Sequence, residues 1–319
     1  MGLDLDYIFH PKNIAVAGAS ESPDKTGHTY FKNQLENFKG TVYPINFRAK
    51  EVLGVPTYQS IKDLPEDVDY VISAIPNTNI IDLVRDCISK NVKILHLYTA
   101  RFSETGYEKE AALEREMLEM ARSSGLRILG PNCMGLYYPR EGISFGRGFP
   151  EEPGTVGFIS QSGGNASEVI SSGAIRGLRF SKVISYGNAI DLNEAILIDY
   201  LAEDPETKVI GAYIEGVRDG PAFVKAVKRA SQVKPVILLK GGRTRAGTHM
   251  VSSHTASLAG AQEVWNAMCK QTGAINAFSM DEMLDMLVAF SCMPKATGFR
   301  LLVGGGSGGK SVLSADECE

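Results

Sequence analysis

Short aliphatic, β-branched runs alternate with segments of helical period along the whole chain. NIAVAG (13–18), TVYPIN (41–46), VDYVISAI (68–75), VKILHLYT (92–99) and LRILG (126–130) read as strands. Runs of this length, apolar and bounded by Gly, Pro or Asn, suit strands buried on both faces. Between the later runs lie two helix-like segments, NIIDLVRDCISKN (79–91) and YEKEAALEREMLEMARSSG (107–125). The second gathers Ala111, Leu113, Met117, Leu118 and Met120 on one broad face, and Gly125 suits its C-cap. Strands alternating with helices predict an α/β fold with a mainly parallel, doubly wound sheet.

A looser stretch, PREGISFGRGFPEEPG (139–154), holds three prolines and four glycines and reads as the link between two domains. The alternation then restarts with TVGFIS (155–160), FSKVIS (180–185), KVIGAYIE (208–215), PVILLKG (235–241) and AINAF (274–278). The expected organisation is a Rossmann-like domain over 1–138 and a second parallel α/β domain over 150–295. A third α/β unit begins at FRLLVGGGSGGKSVLSADECE and occupies only 296–319.

Composition narrows the function class. The chain has 319 residues, 44% hydrophobic and 22% charged, as ordinary two-domain globular proteins do. A net charge of -4 leaves no basic footprint for nucleic acid or an anionic membrane. No apolar run approaches the roughly 20 residues of a membrane span. The start, MGLDLDYIFHPKN, has no secretory h-region, and Asp6 stands where a myristoylation signal prefers Ser or Thr. Five scattered cysteines without CxxC spacing fit free thiols in a reducing cytoplasm, and no metal site is expected.

Four stretches carry candidate chemistry. The first strand ends in GASESPDKTGHTY (18–30), a small-residue turn leading into a helix, where a nucleotide diphosphate can sit on free N–H groups. The GxGxxG spacing is absent. The second strand ends in NFRAK, not in the acidic residue that holds a NAD ribose. Asn46, Arg48 and Lys50 suit a ligand with an additional phosphate, as NADP and coenzyme A have. A plain turn flanked by surface bases is the alternative. FISQSGGNASE (158–168) offers Ser160, Ser162, Gly163 and Gly164 to a phosphate at a helix N-terminus, or is simply a Ser-capped helix. It is not the GxSxG nucleophile elbow, because Ser160 stands where that motif needs Gly.

Glu215 closes a strand in YIEGVRDG, at the end where parallel sheets bind ligands, and can orient an imidazole. A solvated strand-end carboxylate is the alternative. His254 lies in VSSHTASLAGA, among small and hydroxyl residues that leave a phosphate room to approach; an ordinary surface histidine is the alternative. GGGSGGKS (304–311) matches the GxxxxGK[ST] spacing of a P-loop, but eight residues after Ser311 leave no space for its sheet. A Gly-rich turn before a helix is the better reading there.

In order along the chain, IAVAGASESPDKTG, VYPIN, LGVPTYQSIKDLP, GPNCMG, FISQSGG, YIEGVRDG, PVILLKGGRTRAG and SSHTASLAG resemble the NDP-forming acyl-CoA synthetases. That family belongs to the superfamily of the succinyl-CoA synthetase α subunit. The resemblance covers nearly the whole chain. It implies a CoA-binding Rossmann-like domain, a flavodoxin-like domain carrying a phosphohistidine loop, and the beginning of a ligase-CoA-type domain. The implied reaction is acyl-CoA + NDP + phosphate ⇌ carboxylic acid + CoA + NTP, through an acyl phosphate and a phosphohistidine.

By the same resemblance His254 carries the phosphoryl group and Glu215 positions it. Ser160, Ser162, Gly163 and Gly164 hold the phosphate from one side, and Gly305 and Gly306 from the other. Coenzyme A falls to Gly18, Ala19, Ser20, Ser22, Lys25, Asn46, Arg48, Lys50, Ile75, Pro76, Asn132 and Cys133. ADP or GDP with Mg²⁺ belongs to an ATP-grasp part, which this sequence lacks. It is expected as a partner subunit or a C-terminal extension, in a homo- or hetero-oligomer. The family's SAGFxExG reads YTARFSETG here, with Arg101 in place of Gly. The competing readings are an NADP-dependent oxidoreductase and a non-catalytic CoA-binding or regulatory protein.

Overall fold

The computed structural model describes residues 5–244, 246–247, 262–294, 298, 300, 302–303 and 306–318. His254 and Gly305 lie outside them. The first half builds a five-stranded sheet from β1 (Asn13–Ala17), β2 (Thr41–Ile45), β5 (Tyr70–Ser73), β6 (Ile94–Leu97) and β7 (Arg127–Leu129), in the order β2-β1-β5-β6-β7. Every pairing in it is parallel. Between β2 and β5 lies a small antiparallel hairpin, β3 (Glu51–Val52) and β4 (Val55–Pro56).

Helices α1 (Asp6–Phe9), α2 (Thr26–Asn37), α3 (Ile80–Ser89) and α4 (Glu108–Ser124) belong to this half. On α4, Met117 and Ala121 are buried, while Leu113, Leu118 and Met120 pack partly buried against the same core. Gly125 ends it in the left-handed conformation expected of a C-cap. Pleating divides β1 between two cores. Ala15 and Ala17 face the α3–α4 side, and Ile14 and Val16 face the cluster shared with the second half.

The second sheet holds β8 (Gly135–Tyr137), β9 (Val156–Ser160), β10 (Phe180–Ser185), β11 (Val209–Ile214), β12 (Val236–Lys240) and β13 (Ile275–Ala277), in the order β13-β12-β11-β9-β10-β8. Without β8 this is the same parallel order as the first sheet. Both sheets therefore reverse direction beside their first strand, where such sheets open a ligand crevice. Helices α5 (Gly163–Ile175), α6 (Glu194–Glu203), α7 (Gly220–Ser231), α8 (Gln262–Thr272) and α9 (Met280–Cys292) complete this half. The final helix, α10 (Gly308–Cys318), buries no side chain.

One strand of the first 138 residues joins the second sheet. β8 falls inside the expected first domain but pairs antiparallel with β10, Leu136 opposite Ile184. The chain therefore changes sheets over residues 130–134, upstream of the looser 139–154 stretch. That stretch packs back onto α2, where Gln34 Nε2 donates to the Ser144 carbonyl at 2.5 Å and Phe145 is buried. A bidentate pair joins the halves nearby. Arg127 donates to Asp191 at 2.8 and 3.0 Å, and Asp191 also accepts from the Ile128 amide.

His96 sits in the first sheet between the Tyr30 and Tyr70 rings, 1% exposed, with Nε2 3.2 Å from the Cys133 carbonyl. Burial lowers its pKa from 6.5 to about 4. Between those values the unfolded chain binds the proton and the native one does not, so stability falls as pH drops from 6.5 toward 4. The loss should approach about 3 kcal/mol, and His96→Gln should flatten that part of a urea-unfolding pH profile. An equally steep profile in the variant would assign the slope to other groups.

Candidate functional site

The crevice of the first sheet is a cavity of about 870 Å³ over the C-terminal ends of β1, β2, β5 and β6. Its floor is the turn after β1. A β-carbon at Gly27 would sit 1.9 Å from the Gly18 carbonyl oxygen, so α2 can lie this close to the turn only with glycine there. Residue 18 has φ +91°, and a β-carbon there would meet the Ala74 carbonyl at 2.8 Å. The first turn of α2, which has no side-chain cap, therefore opens directly onto the cavity.

Of the twelve residues expected to hold the cofactor, ten line this cavity. They are Gly18, Ala19, Ser20, Ser22, Lys25, Asn46, Arg48, Ile75, Pro76 and Asn132. Lys50 is exposed and does not line it. Cys133 points the other way, buried, with its thiol toward the Leu97 and Leu129 carbonyls and its pKa raised by burial. Asn46 lines the cavity but is occupied: Nδ2 donates to the Ala19 carbonyl at 2.8 Å, and Oδ1 accepts from the Arg48 and Ala49 amides. It shapes two turns and leaves Arg48 to meet an anion. Phe47 was not singled out from sequence. It is 67% exposed in the same cavity, with the Arg48 guanidinium 4.9 Å over its ring.

The crevice of the second sheet lies between β9 and β11. Ser160 is fully buried, and its hydroxyl donates to the Ser162 carbonyl at 2.7 Å. The Ser162 hydroxyl accepts from the Asn165 amide and caps α5. Both hydroxyls thus serve the turn. The amides of Gly163 and Gly164, which have no acceptor within the helix, are the groups this turn offers to an anion.

Glu215 follows β11 and is 8% exposed. Gln161, just past Ser160, receives the Glu215 and Gly216 amides on its Oε1 at 2.5 and 2.9 Å, tying the two strand ends together. The Tyr213 phenol beside it is pushed up to about 12, by burial first and then by the Glu215 carboxylate. Lys240 ends β12, also buried. Its Nζ donates to the Gly241 and Glu215 carbonyls at 3.0 and 3.4 Å. Burial lowers its pKa, against the opposing pull of Glu215.

At Gly241 a β-carbon would come within 2.6 Å of the Tyr213 hydroxyl and 3.2 Å of Glu215 Cγ. The segment leading toward His254 therefore leaves the sheet in contact with the carboxylate. Sequence reading missed Gln161 and Lys240. A charge closing the apolar run PVILLK was the available signal for the second. Gly306 lines neither crevice.

The two crevices adjoin. Asn132 lines the first cavity, and the neighbouring Met134 amide donates to Ser185 Oγ at 3.1 Å. A β-carbon at Gly163 would strike Met134 Cγ at 2.4 Å. Asn188, after β10, donates to Glu104 of the first half at 2.9 Å and accepts from Arg218 of the YIEGVRDG segment at 3.0 Å. Glu194, reached through the Arg218 amide, is buried with its pKa raised, chiefly by desolvation.

Comparison with known proteins follows the same division. Residues 12–139 match the CoA binding domain family, and residues 153–290 match the succinyl-CoA ligase like flavodoxin domain family. The chain is 41% identical, over 99% of its length, to the ADP-forming acetate–CoA ligase II subunit alpha of Pyrococcus furiosus, of which it covers 68%. It is 37% identical to the ADP-forming acetate–CoA ligase of Methanocaldococcus jannaschii, covering 44% of that longer protein. Among solved structures, the acetyl-coenzyme A synthetase 1 of Ca. Korarchaeum cryptofilum in complex with phosphate and ADP superposes with a TM-score of 0.90 at 37% identity. That match takes in 98% of this chain and 68% of the other. The chain thus spans about two thirds of an alpha subunit and under half of the longer relative.

Proposed function

The chain belongs to the family of ADP-forming acyl-CoA ligases, and from that premise we propose that it is the CoA-binding and phosphohistidine part of such an enzyme. The observation that carries this reading is the meeting of two like crevices. One is a small-residue turn with a basic flank. The other is a helix N-terminus beside a buried carboxylate.

In the first crevice the adenosine end of CoA lies by Phe47 and Arg48, and its diphosphate lies on the first turn of α2. The thiol end then runs past the end of β5 toward the second crevice. There phosphate attacks the thioester carbonyl, the C–S bond breaks, and CoA leaves as the thiolate. The resulting acyl phosphate gives its phosphoryl group to the neutral imidazole of His254, releasing the carboxylate. Glu215 orients that imidazole and balances its positive charge once it is phosphorylated. The amides of Gly163 and Gly164 hold the moving phosphoryl oxygens. The acceptor nucleotide, ADP or GDP with Mg²⁺, sits on an ATP-grasp part supplied as a partner subunit or a longer polypeptide. This chain by itself then forms the phosphoenzyme but no nucleoside triphosphate.

Calorimetry with the 319-residue chain tests the cofactor assignment. CoA should bind about ten times more tightly than 3′-dephospho-CoA, because the latter gives Arg48 no charged partner. Arg48→Ala should remove that difference. Tighter binding of NAD than of CoA would reject the reading.

A further inference from the structure

Arg101 stands where the resemblance implies glycine, and its backbone shows why glycine suits the position. Its φ is +73°, in the left-handed region that residues with a β-carbon rarely adopt. The surrounding structure holds it there. Glu104 receives the Arg101 amide at 2.6 Å and the Phe102 amide at 3.0 Å, and Asn77 donates to the Arg101 carbonyl at 2.6 Å. Arg101 is exposed, lines the first cavity, and forms no ion pair among the described residues. A strained position thus presents an uncommitted cation to the ligand.

Its place along the cavity identifies the part of the ligand it meets. Arg48 follows β2 and Arg101 follows β6, with β1 and β5 between them. The strands they follow, β2 and β6, are three spacings or about 14 Å apart. Arg48 and Phe47 mark the adenosine end and the first turn of α2 the diphosphate. Arg101 is at the far end, in the turn whose Glu104 touches Asn188 of the second half. That is the thioester end, where CoA carries no phosphate of its own.

We propose that Arg101 recognises a carboxylate on the acyl group, so that the preferred substrates are CoA thioesters of dicarboxylic acids. This rests on the reading of the first cavity as the acyl-CoA site. A neutral acyl chain leaves the guanidinium with water alone, whereas a terminal carboxylate forms a charge-assisted and potentially bidentate pair.

The test is calorimetric binding of CoA, S-butyl-CoA and S-carboxypropyl-CoA, thioethers that phosphate does not cleave. The native chain should bind the carboxypropyl compound about ten times more tightly than the butyl one. Arg101→Gly, which suits the left-handed backbone and should melt no lower than the native chain, should erase that preference. So should Arg101→Gln, which keeps most of the side-chain length. CoA affinity should stay within about twofold in both. The proposal is overturned if the native chain shows no preference, or if both variants weaken all three ligands alike, which would place the guanidinium on CoA itself. Failure of the native chain to bind CoA would overturn it together with the cofactor assignment.

Discussion

Replacing His254 with alanine should leave the chain without any phosphoryl group after incubation with acyl-CoA and phosphate. The native chain should gain one, read as intact mass in the absence of nucleotide. The step needs a nucleophile that is unprotonated near neutral pH, and imidazole, with a pKa of about 6.5, is the side chain in that segment that meets the requirement. The hydroxyls of the second crevice are poor substitutes. Ser160 is buried and donates to the Ser162 carbonyl, while Ser162 caps α5. The bond formed is a phosphoramidate, so it should be lost in acid and kept in base. Label that survives acid, or that persists in His254→Ala, would move the phosphoryl group to a hydroxyl and remove the basis of the ligase reading.

Glu215→Gln should slow phosphorylation by about 10²–10⁴-fold, some 3–5 kcal/mol on the barrier. The substitution isolates the charge. The backbone at 215 is fixed by Gln161 Oε1 from the neighbouring strand, and the side chain is buried beside the Tyr213 phenol. An amide of the same shape keeps that packing and withdraws the negative charge that would balance an imidazolium or a phosphorylated ring. Rapid-quench rates with saturating acyl-CoA would measure the effect, with the melting temperature as the control for folding. A rate within about threefold of native would show that the carboxylate only fills space.

Ten strands could be read from the chain because each is a short, mostly aliphatic or β-branched run, and each pairs in parallel with a neighbour. The strands that escaped were of another kind. Glu51–Val52 and Val55–Pro56 are two residues long, below any period. Gly135–Tyr137 is an antiparallel edge whose partner, Phe180–Ser185, lies far along the chain. The candidate site was legible to the same depth. A turn of small residues and a strand-end glutamate are local features. Whether a polar atom is already engaged is not. Asn46 and Ser160 look like ligand groups in the sequence and are hydrogen-bonded to turn backbone in the fold, Asn46 to two turns and Ser160 to its own. Lys50, a base suited to an additional phosphate, and Cys133, part of the GPNCMG resemblance, do not line the cavity. The left-handed backbone at Arg101 likewise exists only in three dimensions.

The exchange of β8 between the halves has a consequence for how the protein can be divided. A fragment begun at residue 139 would lack the strand that covers β10, and Phe180–Ser185, buried at every position in the intact chain, would become a bare edge ready to pair with a second chain. The complementary fragment ending at 138 would carry Gly135–Tyr137 as an unpaired tail. A cut just before Gly130 instead leaves each sheet its own strands. The native chain, by keeping β8 on β10, protects its second half from self-association with a segment drawn from its first.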